Sequence, residues 1–180
     1  MWKTLTHTKK YEDPWVTTWS DDVEFPDGHK STYGYLEFRD GAHVVIIDKN
    51  NKIILFKQFR YPVKKMCWSI PGGKIDINET PEQTAKREAE EEVGVKIKSI
   101  EQLGKTWHFC GAFNNEKHYI FLAHTEDVAE NGGENNESIT NTRAFTTDEI
   151  LKMIDNGEIE ENYVANALQI ALRRIKKTKN

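Results

Sequence analysis

Cysteine is scarce in this chain. Its 180 residues include two, Cys67 and Cys110, and they form no CxxC pair. That excludes a disulfide framework and a cysteine-based zinc site, and it predicts a reducing, cytoplasmic setting. Long apolar runs are missing too, so no segment reads as a membrane span. The opening MWKTLTHTKK has no apolar core of a signal peptide. No internal repeat is visible. Charge of one sign is also lacking: 25 Lys+Arg stand against 29 Asp+Glu, a net charge of -4. That balance excludes a general nucleic-acid binder. The length suits one domain, or one domain with an appendage, and allows a sizeable core.

What the chain does have is concentrated in residues 73–95, GKIDINETPEQTAKREAEEEVGV. Gly73 is followed six residues later by Glu79, and eight residues after that by Arg87-Glu88; Glu91-Glu92 and Gly94-Val95 close the run. Residues fixed at this spacing co-occur by chance in fewer than about one chain in 100,000 at average composition. The local physics predicts a helix over Pro81–Val93. Thr80 caps it, Pro81 suits the first turn, Gln83 completes a capping box, and Gly94 can adopt the left-handed conformation that ends it. At about 100° per residue, Ala85, Ala89 and Val93 share a buried face. Glu88, Glu91 and Glu92 lie together at its edge, and Glu90 points away. Such a carboxylate cluster suits a hard cation, Mg2+ or Mn2+.

The flanking sequence alternates between elements. Residues 43–47 read as a buried strand, 48–51 as a turn and 52–59 as a returning strand. Pro71-Gly72-Gly73 is a loop whose backbone can approach a ligand closely. After the acidic helix, residues 95–107, 118–123 and 143–145 read as strands. Thr146 to Glu149 is a second capping box, opening a helix that ends at Gly157. Val164, Leu168, Leu172 and Ile175 mark a last amphipathic helix.

The complete GX5EX7REUXEEXGU pattern, where U is apolar, resembles the signature of the Nudix hydrolases. Gln58-Phe59-Arg60 and the stretch from Trp68 to Gly73 are similar to the ADP-ribose pyrophosphatase, or nucleoside diphosphate sugar hydrolase, branch. So are Asp13-Pro14-Trp15, Pro26-Asp27-Gly28 and Tyr33-Gly34. The resemblance implies an α/β Nudix fold, a mixed β-sheet sandwiched between α-helices, with an N-terminal β-rich arm. It divides the chain into an arm, residues 1–40, for dimerisation and base recognition, and a Nudix hydrolase domain, residues 41–180. The implied reaction is Mg2+-dependent hydrolysis of the pyrophosphate bond of ADP-ribose or a related nucleoside diphosphate sugar, giving a nucleoside monophosphate and a sugar phosphate.

Carried over by position, Glu88 and Glu92 would be the main metal ligands, Glu91 would assist, and the Gly72 carbonyl would join them. Glu79 and Arg87 would pair and brace the loop against the helix, with Gly73 and Gly94 structural. Arg60 would contact substrate phosphate. Trp15, Trp19 and Glu116 would line the substrate, and the arm would exchange across a homodimer. The general base would come from residues 125–141, an acidic, Gly/Asn-rich stretch whose composition predicts mobility. Glu137 best matches the family position, and Glu134 is the second choice. Residues 108–116 lack the proline usual in this branch, and Gly72 stands where Ala is common. GDP-mannose and other nucleoside diphosphate sugars therefore remain open as substrates. A dNTP pyrophosphatase and a non-catalytic ligand sensor are the lesser alternatives.

Overall fold

The computed structural model describes residues 1–127 and 139–178. They fall into two units, Met1–Asp40 with Trp107–His118, and Gly41–Thr106 with Tyr119–Asn180.

The first unit is built on a three-stranded antiparallel sheet: β1 (Lys3–Glu12), β2 (Thr17–Glu24) and β3 (Lys30–Glu37), with β2 in the centre. Thr, Tyr and Trp are frequent here and suit a half-exposed pleated surface. The later segment joins it through both backbone and side-chain groups. The Leu36 amide donates to the Phe113 carbonyl at 2.8 Å, and the Asn115 amide to the Leu36 carbonyl at 3.3 Å. The Tyr33 hydroxyl donates to the Ala112 carbonyl.

The second unit follows from strand β4 (Gly41–Ile47), every residue of which is buried. After it come β5 (Ile53–Arg60), β6 (Lys65–Ser69) and β7 (Gly72–Lys74). Strands β8 (Ser99–Gln102), β9 (Trp107–His108), β10 (Lys117–His124) and β11 (Ile139–Phe145) come later in the chain. The central order is β11-β5-β4-β10-β8, with β6 paired to β5 and β7 to β4.

Because side chains alternate across a strand, β4 feeds two cores. Ala42, Val44 and Ile46 pack with Ala85, Ala89 and Val93 of helix α1 (Pro81–Val93). Val45 and Ile47 pack with Ile150 and Met153 of α2 (Thr147–Asp155) and with Val164 and Leu168 of α3 (Asn162–Thr178). The sheet therefore lies between helices, as the α/β reading expects.

Both predicted capping boxes are present, Thr80 with Gln83 and Thr146 with Glu149. Gly94 ends α1 at φ 69°, ψ 21°. One expectation needs correction. Residues 95–107 are not a single strand: β8 covers Ser99–Gln102, β9 covers Trp107–His108, and Gly104 between them sits at φ 76°. A left-handed residue breaks the extended path.

Replacing Thr80 with Ala is expected to lower the unfolding free energy by about 1 kcal/mol. Urea denaturation should show a lower midpoint at constant slope; an unchanged midpoint would mean that the box carries no weight.

Candidate active site

Helix α1 lies against β4 and β7; Gly73 leaves room for a helix side chain, and Gly72 for the close approach of β4. A Cβ on Gly73 would stand 2.2 Å from a Glu88 carboxylate oxygen. On Gly72 it would stand 2.2 Å from His43 Nδ1 and 2.6 Å from the Ala42 carbonyl oxygen. The Gly72 amide donates to Glu92 Oε2 at 2.9 Å. The Glu88 and Glu92 carboxylates thus flank a stretch of bare backbone. Glu92 is 5% exposed, and a buried carboxylate needs such a donor.

Arg87 organises the other acids. Its Nε and Nη2 donate to the two oxygens of Glu79 at 3.0 and 3.1 Å, the two-pronged geometry that fixes a guanidinium best. Its Nη1 donates to Glu88 Oε1 and to Glu91 Oε2, each at 2.8 Å. Hydrogen bonds from Arg87 and Thr84 hold Glu79 down to about 2. Hydrogen bonding to Glu79 outweighs burial and raises the Arg87 guanidinium.

The sequence reading has three glutamates converging, and the structure gives this a particular form. Glu88 and Glu91 converge on Arg87, whereas Glu92 turns to the Gly72 amide. Arg87 is the cation at hand, and it takes what the helix face offers. Among the described residues no three His, Cys, Asp or Glu side chains are gathered as a metal site. The donors nevertheless fit a divalent cation in kind. They are hard carboxylate oxygens on a rigid helix, and Gly73 leaves the Glu88 carboxylate the space that a side chain would fill. Glu88, Glu92 and the Gly72 carbonyl would hold the ion.

Arg60, at the end of β5, sits in a second polar cluster. Its Nη2 donates to Tyr163 Oη at 2.5 Å, Ser69 Oγ at 3.0 Å and Glu161 Oε2 at 3.0 Å. One amino group has two hydrogens for three acceptors, so one contact is shared. Nε lies 2.8 Å from Glu161 Oε1, an ion pair whose N–H direction falls outside hydrogen-bond geometry. Burial pulls the guanidinium down, and Tyr163 and Glu161 more than offset it, so the net shift is upward. The Tyr163 ring lies 4.8 Å from that of His43, and His43 pairs with Gly72 across β4 and β7. Sequence reasoning missed Glu161, Tyr163, Ser69 and His43. The one signal for Glu161 and Tyr163 was their place at the start of an amphipathic helix, which reads as ordinary, while Ser69 and His43 lay in segments read for other reasons.

The remaining candidates belong to the first unit. Trp15 is 66% exposed, with Arg39 Cζ 5.7 Å from its ring centroid. Trp19 stacks on His7 at 3.9 Å, and its Nε1 donates to Glu37 Oε2 at 2.7 Å. Glu116 is buried, its Oε1 2.7 Å from His118 Nε2. Glu134 and Glu137 lie outside the described residues.

Comparison with known proteins gives this arrangement its context. A family model described as the NUDIX domain matches residues 37–166. The chain belongs to the Nudix family. A second model, the nucleoside diphosphate sugar hydrolase N-terminal domain, matches residues 2–36 of this Nudix hydrolase. It is similar to the ADP-ribose pyrophosphatase of Bacillus subtilis (strain 168), 29% identical over 168 residues, spanning 93% of this chain and 90% of that protein. It is also similar to the methanol dehydrogenase activator of Bacillus methanolicus, 31% identical over 150 residues, 83% of this chain and 80% of that protein. A crystal structure of an ADP compounds hydrolase shares the fold, with a TM-score of 0.83 at 19% identity, covering 98% of this chain and 95% of that one. No helix among the described residues is long and apolar enough to cross a membrane.

Two outcomes are expected here. Gly73→Ala should leave the unfolding temperature nearly unchanged, because the flexible Glu88 carboxylate can swing aside, while turnover falls. Gly72→Ala should destabilise the fold, because its Cβ meets backbone atoms of Ala42 and His43. Equal thermal shifts for the two would contradict this. For Glu79 the folded value lies below the ordinary 4.5. Its stabilisation is therefore complete above pH about 4.5 and is lost as pH falls toward about 2. Glu79→Gln should flatten the decline of the unfolding temperature over that window; an equally steep decline would assign the acid sensitivity to other groups.

Proposed function

We propose that this Nudix hydrolase cleaves the pyrophosphate bond of ADP-ribose or a related nucleoside diphosphate sugar with Mg2+, or Mn2+ in its place. The products are a nucleoside monophosphate and a sugar phosphate. The observation that carries this reading is the Gly72–Gly73 backbone, flanked by the Glu92 and Glu88 carboxylates on a helix with the full family spacing. The match of residues 2–36 to an N-terminal domain of nucleoside diphosphate sugar hydrolases supports the substrate class. So does the name of the Bacillus subtilis relative.

Pyrophosphate is shielded from attack by its own anionic oxygens. A bound divalent cation supplies charge neutralisation there and a more acidic water. Glu88 and Glu92, assisted by Glu91, would hold that cation from one edge of helix α1. Arg87 keeps Glu79 against the helix and steadies Glu88. Arg60 receives a substrate phosphate, with the guanidinium fork suited to paired oxygens. Glu137, or in second place Glu134, takes the proton of the attacking water as its oxygen joins phosphorus and the bridging oxygen leaves. Trp15 and Trp19 contact the base, and Glu116 the substrate. The enzyme works as a cytoplasmic homodimer, with residues 1–40 as the exchanging arm and residues 41–180 as the catalytic domain.

The decisive experiment is a phosphate-release screen with Mg2+ and with Mn2+. It should cover ADP-ribose, GDP-mannose, other sugar nucleotides, dinucleoside polyphosphates and dNTPs. Preference for a sugar nucleotide is expected, and exclusive dNTP cleavage would overturn the substrate class. On the confirmed substrate, Glu92→Gln should lose most metal-dependent turnover with the fold intact. Glu137→Gln should slow turnover with little change in metal binding, and a normal rate would move the base elsewhere.

A further inference from the structure

The candidate site is unusual in carrying two arginines among carboxylates that have another task. Arg87 has Glu79 as a dedicated partner on two hydrogen bonds. Arg60 has Glu161, paired at 2.8 and 3.0 Å. Neither Glu79 nor Glu161 belongs to the set that would hold a cation.

The position of Arg60 makes its partner matter. Ser69, which it bonds, precedes Ile70-Pro71-Gly72, and the Gly72 amide carries Glu92. Tyr163, which it also bonds, packs on His43, whose Nδ1 fills the space beside Gly72. Arg60 thus reaches the backbone that Glu92 rests on through Ser69 along the chain, and through Tyr163 and His43 in space. Glu92 acts electrostatically on both Arg60 and Tyr163. A largely buried guanidinium stripped of its counter-charge seeks the next carboxylate, because an uncompensated buried charge is costly. After Glu161, Glu92 is the carboxylate that acts on Arg60 electrostatically, and both meet the same Gly72 backbone through the contacts above.

We propose that Glu161, at the start of α3, holds the Arg60 guanidinium away from Glu92, so that Glu92 keeps its carboxylate for the divalent cation. Glu161 is a positioning residue, acting through Arg60. The inference rests on the reading above that Glu92 is a metal ligand. It adds that the reach of Arg60 is set from a helix some hundred residues away in sequence. Hydrogen bonds from Tyr163 and Ser69 cannot replace Glu161, because neither supplies a negative charge.

The test is Mn2+ binding to the full chain, followed by the electron paramagnetic resonance of free Mn2+, with the unfolding temperature recorded on the same samples. Glu161→Gln should weaken binding about ten-fold, the scale on which outer partners tune a metal site. Arg60→Gln alone should bind at least as tightly as the wild type. The double variant Glu161→Gln/Arg60→Gln should return to wild-type affinity, although its turnover stays low through loss of the phosphate contact. That rescue separates positioning from scaffolding, since a merely structural role would compound the losses. Equal weakness of the single Glu161 variant and the double one would overturn the inference, as would weaker binding by Arg60→Gln. Glu92→Gln separates the two readings. If it loses binding while Glu161→Gln does not, this inference fails and the metal assignment stands. If Glu92→Gln binds normally, the metal assignment fails and takes this inference with it.

Discussion

The close approach of α1 to the β4–β7 pair is the constraint on which the site depends. Interiors are packed to crystal-like density, so a helix settles only as near as its contact residues allow. Here Ala85 and Ala89 of the helix pack with Ala42, Val44 and Ile46 of β4, and Gly73 of β7 leaves room for the Glu88 carboxylate. Small residues on both sides let the carboxylates of Glu88 and Glu92 come down beside backbone, where a bulkier pair would hold them off. The same contact buries Val93 and helps to anchor the helix. Packing and chemistry are therefore one geometric requirement.

That approach creates an electrostatic problem, because it crowds acids along a single helix face. Like charges one turn apart disfavour a helix by a few tenths of a kcal/mol each. Arg87 answers this within the same helix by bonding Glu88 and Glu91 while anchored on Glu79. Glu92 faces inward, where the Gly72 amide donates to it and the Arg60 guanidinium acts on it electrostatically.

Much of this was legible in the sequence, and the reasons differ by element. Helix α1 was readable to its ends because its stop and start signals are local: Thr80, Pro81, Gln83 and Gly94 act within a few residues of themselves. The β4–β5 hairpin was readable because its turn chemistry, centred on Asp48 and Asn51, is equally local. The interruption between β8 and β9 was not, because Gly104 is a weak signal alone. Nor was the grouping of residues 107–118 with the first forty. Its ties combine backbone pairs, such as those of Leu36 with Phe113 and Asn115, with side-chain bonds of Tyr33, Asp40 and Asn115, all across more than seventy residues and so beyond the reach of a local pattern. The Arg60 cluster was half legible. A motif marks the arginine, while Glu161 and Tyr163 reach it across a hundred residues, a separation that no local pattern encodes.

Strand β4 carries a further consequence. Register in a sheet is usually enforced by hydrophobic alternation, since a slip of one residue turns the apolar face outward. β4 is buried on both faces and apolar at nearly every position, so alternation gives it little protection against slipping. What distinguishes its correct pairing is His43 opposite Gly72, the one place where a large polar ring meets a residue with no side chain. A slipped strand would set an aliphatic side chain there and carry the imidazole away. The pairing that builds the site is thus also what tells the folding chain that its central strand is aligned.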